Sequence, residues 1–209
     1  MHTNSQMEAG GVGYGMHPRR GTIRRLPVLV WSTKALAARW YDPTTANLPS
    51  QLTATGDGLL TGSVTNQTGV DLSDARLLYG SWGWRLGDLP EGRTVRIDRD
   101  LDPLRTRTVL LKGRRAGGQL FVPEEATTDE LLTLSMFYKA LGGHRFAGLQ
   151  DHGTGQLDMS HQLRLGRAVL VARRADRGSQ LLVGDEQLSP TGNELSVYRF
   201  LLPVDPPAE

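Results

Sequence analysis

The 209-residue chain has no cysteine. That excludes disulfides, thiolate nucleophiles and cysteine-rich zinc sites, and it leaves the redox compartment open. No apolar run approaches the length needed to cross a bilayer. The residues after Met1, "HTNSQMEAGGVGYGMH", lack the basic flank and apolar core of a signal peptide. The chain as it stands is therefore expected to be soluble, including as one piece of a longer exported or membrane-anchored protein. Net charge is small as well, +2 from 24 Lys+Arg against 22 Asp+Glu. The hydrophobic share of 38% and aromatic share of 6% are modest, yet above those of a disordered chain.

Glycine is abundant, at 25 residues, and many glycines sit beside short apolar runs. That pattern favours turns and short strands over a helical bundle. In "LTATGDG" and "LLTGSVTN" (52–66), Leu60, Gly62 and Val64 share one face while Thr61, Ser63 and Thr65 share the other, the period of a half-buried strand. "ARLLYGSWGWRLG" (75–87) sets Ala75, Leu77 and Tyr79 against Arg76 and Leu78, and "RTVRIDR" (93–99) sets Val95 and Ile97 against Arg96 and Asp98. "TVLLKGRRAGGQLFVP" (108–123) reads as two further strands around a basic turn, and "RAVLVARR", "SQLLVG" and "ELSVYRFLLPV" as three more. "TIRRLPVLVWSTK" (22–34) is an edge strand or bulge because of Pro27.

The period changes once. In "TTDELLTLSMFYKALGG", Thr127 and Glu130 form a capping box, Leu131, Leu134, Tyr138 and Leu141 recur at helical spacing, and Gly142–Gly143 ends the run. The expected organisation is a flexible segment 1–20, a β-rich domain 21–204 with a helix at 128–141, and a polar tail 205–209. Sub-modules 21–125 and 144–204 are a further division of that domain. The fold class is mainly β, an immunoglobulin-like or related β-sandwich with one packed α-helix that closes an open end or edge of a sheet.

Chemistry-bearing residues are few. His144, Asp151, His152, Asp158 and His161 are the right types for a borderline metal or for acid–base work near neutral pH. Their spacing matches no HExxH or EF-hand pattern, and a glycine-rich connection carrying exposed histidines, with Asp158 or Ser160 capping a turn, is the commoner arrangement. Trp82, Trp84, Tyr79 and Arg85, with Trp31, Trp40 and Tyr41, suit a stacking platform for carbohydrate or nucleic acid, or alternatively core packing. Arg96, Arg99, Arg105 and Arg107 sit in a basic stretch, Arg93–Arg115. They suit phosphate contact or a solvated strand face with alternating arginines. "GVGYG" (11–15) has the glycines of a phosphate loop without its strand, helix or Lys-Ser/Thr. Asn66-Gln67-Thr68 is formally a glycosylation sequon. No catalytic, cofactor-binding or metal-binding residue is assigned from these patterns, and no cofactor is expected.

The stretch "LLTGSVTNQTGVDLSDARLLYGSWGWRLGDLPEG" (59–92) resembles extracytoplasmic β-sandwich modules of bacterial surface proteins, lipoproteins and large membrane proteins. Gly62, Val64, Asn66, Leu72, Asp74, Leu86, Gly87, Leu89 and Gly92 carry the likeness. "LDMSHQLRLGRAVLVAR" and "YRFLLPV" are similar to the ends of soluble regions in uncharacterised multi-pass bacterial membrane proteins. The resemblance implies a non-catalytic structural or partner-docking module of a larger envelope protein, on the periplasmic or extracellular face of the membrane. Other envelope proteins, flanking membrane-anchored domains or an anionic surface are its implied partners, and nucleic acid is disfavoured. Two alternatives are a carbohydrate- or anion-binding module using Trp82, Trp84 and the arginines, and a metal-dependent hydrolase using the 144–161 His/Asp group.

Overall fold

The computed structural model describes residues 15–17, 22–24, 47–111, 126–147, 155–174, 181–183, 186–188 and 195–207. The chain forms two compact units, Met1–Thr44 and Thr45–Glu209. In the first, Gly15–His17 (β1) and Thr22–Arg24 (β2) pair antiparallel. The expected flexible segment 1–20, apart from β1, lies outside the described residues, as do Trp31, Trp40 and Tyr41.

The second unit is mainly β. Alternation across residues 50–97 produces Ser50–Ala54 (β3), Leu60–Thr65 (β4), Leu72–Tyr79 (β5), Trp82–Leu89 (β6) and Thr94–Ile97 (β7). A short strand Leu104–Arg105 (β8) runs straight into the helix Thr106–Leu110 (α1). Helices Thr128–Met136 (α2), His144–Ala147 (α3) and Ser160–Arg164 (α4) follow. Ala168–Arg174 (β9), the separate hairpin Leu181–Val183 (β10) with Glu186–Leu188 (β11), and Ser196–Leu202 (β12) complete it. One sheet has the order β3-β4-β7 and the other β12-β9-β5-β6-β8, with every pairing in both antiparallel.

The two sheets enclose the main core. Leu52, Leu60, Val64 and Ile97 of the smaller sheet meet Leu72, Leu77, Trp84, Leu89 and Leu170 of the larger one, all buried. The five-stranded sheet is also covered on its other face. Leu78, Val169 and Val171 pack there against Val109, Leu134, Phe137, Phe146 and Leu163 of the helical segments. The result is a sandwich with a helical layer added, and a sheet buried on both faces needs apolar residues at consecutive positions. This corrects the expected in/out alternation of residues 75–79. Leu77 and Leu78 are both fully buried, because each faces a different core.

Three further expectations change. The helix expected at 128–141 ends at Met136, and it covers the sheet's face rather than an end or edge. Instead of one helix there are four among the described residues, three of them five residues or shorter. The strand expected from residue 108 begins in α1, and 112–125 lie outside the described residues. The edge of β3 is covered by the expected polar tail. Asp205 N–H donates to Leu52 O (2.8 Å), and Ala54 N–H donates to Asp205 O (2.9 Å).

Two devices hold α2 in place. Thr127 and Glu130 form the reciprocal capping box expected from their spacing, with Glu130 N–H donating to Thr127 Oγ1 at 3.2 Å and Thr127 N–H donating to Glu130 Oε2 at 2.9 Å. Asp129 in its first turn pairs with Arg173 of β9, which also lies 3.4 Å from Asp74 Oδ2. Asp74 has φ +49 at a bulge in β5 and bonds the buried Arg76 at 2.6 Å. Thr127→Ala removes the cap and is expected to cost about 1 kcal/mol, lowering Tm by about 2–4 °C in a domain of this size. Calorimetry on the purified protein checks this, and an unchanged Tm would contradict the role of the cap.

Candidate functional site

The early end of α2 opens a recess beside the 137–143 turn. In an uninterrupted helix, Ala140 N–H would donate to Met136 O. Here both groups are taken by the start of α4: Met159 N–H, just before the helix, donates to Met136 O (2.7 Å), and Ala140 N–H donates to Oγ of its first residue, Ser160 (2.9 Å). Residues 137–143 become a turn closed by Gly143 N–H to Tyr138 O at 2.8 Å, with φ +112 at Gly142 and +60 at Gly143. Those angles suit glycine. The turn brings Lys139 and Ala140 beside α4.

The opposite side is built from the tip of the β5–β6 hairpin. Thr106 N–H donates to Ser81 O (3.0 Å), and Thr106 Oγ1 donates to Trp82 O (3.1 Å), which seats the start of α1 on that tip. Arg105 lays its guanidinium 4.2 Å over the Trp82 ring, and Arg107 lies 4.3 Å over Phe146. Both contacts are of the cation–π type.

Between these walls is a cavity of about 410 Å³ whose charged lining consists of Arg105, Arg107, Lys139 and Arg164. No carboxylate is among the described lining residues. Nε of Arg107 is buried and has no hydrogen-bond acceptor among them. Ser160 is buried, and its oxygen already accepts from Ala140, so its own proton is left to donate.

A second recess of about 310 Å³ lies by the β3–β4 turn, with Asp57, Asp98, Arg99 and Trp84 on its walls. Both carboxylates there are turn caps. Asp98 Oδ1 accepts from Asp100 N–H at 3.1 Å. Asp57 accepts from the Thr55 hydroxyl and from Leu59 N–H. The Thr55 hydrogen bond holds the Asp57 carboxyl below its ordinary value. Its contribution to the turn is therefore present above the usual carboxylate range and is lost as pH falls through the lowered value.

The residues singled out from the sequence separate into different environments. Trp84 is buried in the sandwich core at 1% exposure. Trp82 and Tyr79 pair across the two-residue turn and are half-buried, so a two-tryptophan platform has only Trp82 to offer. Arg85 is exposed and donates to Thr108 O at 3.1 Å. Arg96 is exposed on β7, and Arg99 borders the second recess. Arg105 and Arg107 do not alternate on a wet strand face, because the strand ends between them and Arg107 belongs to α1.

His144 and His161 are exposed, at α3 and α4. Asp158 is buried, with Oδ1 accepting from Ser160 N–H at 2.8 Å, the capping arrangement expected as the alternative to a ligand. Asp151 and His152 lie outside the described residues, and so does all of "GVGYG" except Gly15. Among the described residues no group of three or more His, Cys, Asp or Glu is placed to hold a metal ion. Lys139 and Arg164 were not singled out from the sequence, since neither neighbours the basic stretch. The sequon residue Asn66 is fully buried with its amide bonded inside the fold.

A family model described as a domain of unknown function, DUF8725, matches residues 47–182. The chain belongs to this family. Every described residue of both recesses falls inside the matched DUF8725 region, whereas β12, an edge strand of the larger sheet, lies beyond it. No curated protein and no solved structure matches the chain. No helix among the described residues is long and apolar enough to cross a membrane.

Proposed function

We propose that this DUF8725 protein is a non-catalytic docking module of a larger bacterial envelope protein, which holds an anionic group of its partner in the recess between α1, the 137–143 turn and α4. The observation that carries the reading is the charge of that recess: Arg105, Arg107, Lys139 and Arg164 line it with no described carboxylate among them. Cations gathered without counter-charges repel one another, and a bound anion relieves that repulsion while gaining charge-assisted hydrogen bonds. The envelope setting, on the periplasmic or extracellular face, is supported by the resemblance carried by residues 59–92.

The test uses two exposed lining residues, Lys139 and Arg164. The double variant Lys139→Glu/Arg164→Glu is expected to weaken binding to heparin, used as a generic polyanion, by at least about tenfold at low salt. Its Tm is expected to stay close to that of the parent. Equal retention of parent and variant on a heparin column would refute docking through this recess.

A further inference from the structure

We infer that the group seated in this recess is a phosphoryl group carrying more than one negative charge, as part of a ligand larger than inorganic phosphate: a phosphomonoester or a pyrophosphate moiety. This rests on the anion-docking reading above and narrows it to one chemistry.

Charge is the first argument. Four cationic side chains line the recess, and a monocarboxylate would leave most of that charge uncompensated. A phosphomonoester carries about −1.5 to −2 at neutral pH, and a pyrophosphate carries more.

The donor set is the second. Arg105 and Arg107 each present a planar fork, and one fork takes about two of the roughly four acceptor sites of a carboxylate. The second fork and the Ser160 hydroxyl proton together exceed the sites that remain and call for further oxygens. A tetrahedral phosphoryl group supplies three. The Thr106 hydroxyl makes no such demand, because it already donates to Trp82 O.

Preorganisation is the third. Each guanidinium lies against an aromatic ring, Arg105 on Trp82 and Arg107 on Phe146. Stacking restricts the plane of the fork before any ligand arrives, which lowers the ordering cost of binding. Size supplies the remainder of the assignment. At about 410 Å³ the cavity lies within the range of roughly 300–1,000 Å³ typical of small-molecule sites. A single oxyanion would leave most of it as solvent.

The shared chemistry has two possible sources, a soluble phosphorylated molecule or a phosphomonoester lipid headgroup, and one set of measurements separates them. Calorimetric titration of the 209-residue protein at constant ionic strength compares acetate, sulfate, inorganic phosphate and pyrophosphate. Sedimentation compares phosphatidylcholine vesicles with and without phosphatidic acid. Pyrophosphate is expected to bind at least about tenfold more tightly than acetate or sulfate. Arg107→Lys keeps the charge and removes the fork, so it is expected to erase most of that preference. If this variant fails to fold, Lys139→Ala/Arg164→Ala, at two exposed positions, is expected to weaken pyrophosphate binding severalfold instead. Retention on phosphatidic acid vesicles that pyrophosphate competes away assigns the lipid source, and pyrophosphate binding without vesicle retention assigns the soluble one. Acetate or sulfate binding as tightly as pyrophosphate would overturn the phosphoryl assignment and leave the docking reading standing. Absence of binding to every anion and to heparin would overturn both.

Discussion

Replacing Gly62 with Ala is expected to destabilise the domain by at least about 4 kcal/mol, the largest effect of any single methyl addition considered. Gly62 sits in β4, the middle strand of the smaller sheet, opposite Leu52 on one side and Ile97 on the other. Its φ is +132, and a Cβ there would stand 1.8 Å from Gln51 O and 2.8 Å from Gln51 C. Both atoms are backbone, so no side-chain rotation relieves the overlap. Relief requires parting β3 from β4, which opens the core at Leu52, Leu60 and Val64. In this size range the loss corresponds to a fall in Tm of about 10 °C or more. Gly56→Ala is the control, because nothing lies within 4 Å of a Cβ at that position. Comparable melting of the two variants in calorimetry or urea would show that the sheet tolerates strand separation and that the clash is not decisive.

The second large effect is expected at Asn66, whose side chain is completely buried. Its Nδ2 donates to Val70 O (2.9 Å) and Leu89 O (2.7 Å), while Oδ1 accepts from Thr68 N–H (3.1 Å) and the Thr68 hydroxyl (2.7 Å). That uses the full capacity of a primary amide. The backbone joins in, with Asn66 N–H donating to Arg93 O at 2.9 Å and Gly92 N–H donating to Asn66 O at 2.8 Å. One residue thus ties the end of β4 to the 66–70 turn, the end of β6 and the entry to β7. Asn66→Ala strands Leu89 O in a buried site and the Thr68 amide in a part-buried one, for an expected loss of about 2–4 kcal/mol. Asn66→Asp is expected to be at least as damaging, because it replaces two donors with a buried acceptor facing carbonyl oxygens. Urea titration of both variants measures this. A loss below about 1 kcal/mol in each would mean that water replaces the amide's partners.

Much of the small sheet was legible from residue order. Leu60 and Val64 face inward as their alternation requires, and Val95 and Ile97 follow the same rule on β7. The capping box at Thr127 and Glu130 formed because its two bonds are local and need no tertiary partner. The second face of β5 and β9 was not legible. Leu78, Val169 and Val171 are apolar, but their sequence does not say that helices from distant segments cover them.

The candidate site was still less legible. Arg105 and Arg107 were visible as members of a basic stretch, yet Lys139 and Arg164 become their neighbours only through folding. The helix break that brings Lys139 there has no signal in "LSMFYKALGG", whose spacing continues the helical stripe. It arises because Met159 and Ser160 outcompete the helix for the Met136 carbonyl and the Ala140 amide.

Residue order by itself determined the β-rich class, the positions of the principal turns and the start of α2, since these follow from periodicity, glycine conformation and bonds between near neighbours. Tertiary structure alone decided that one sheet is buried twice, that Trp84 is core while Trp82 supports an arginine, and that four separated cations share one cavity. The reason is physical: a side chain's polarity is a local property, whereas its partner, and therefore its chemistry, depends on which distant segment reaches it.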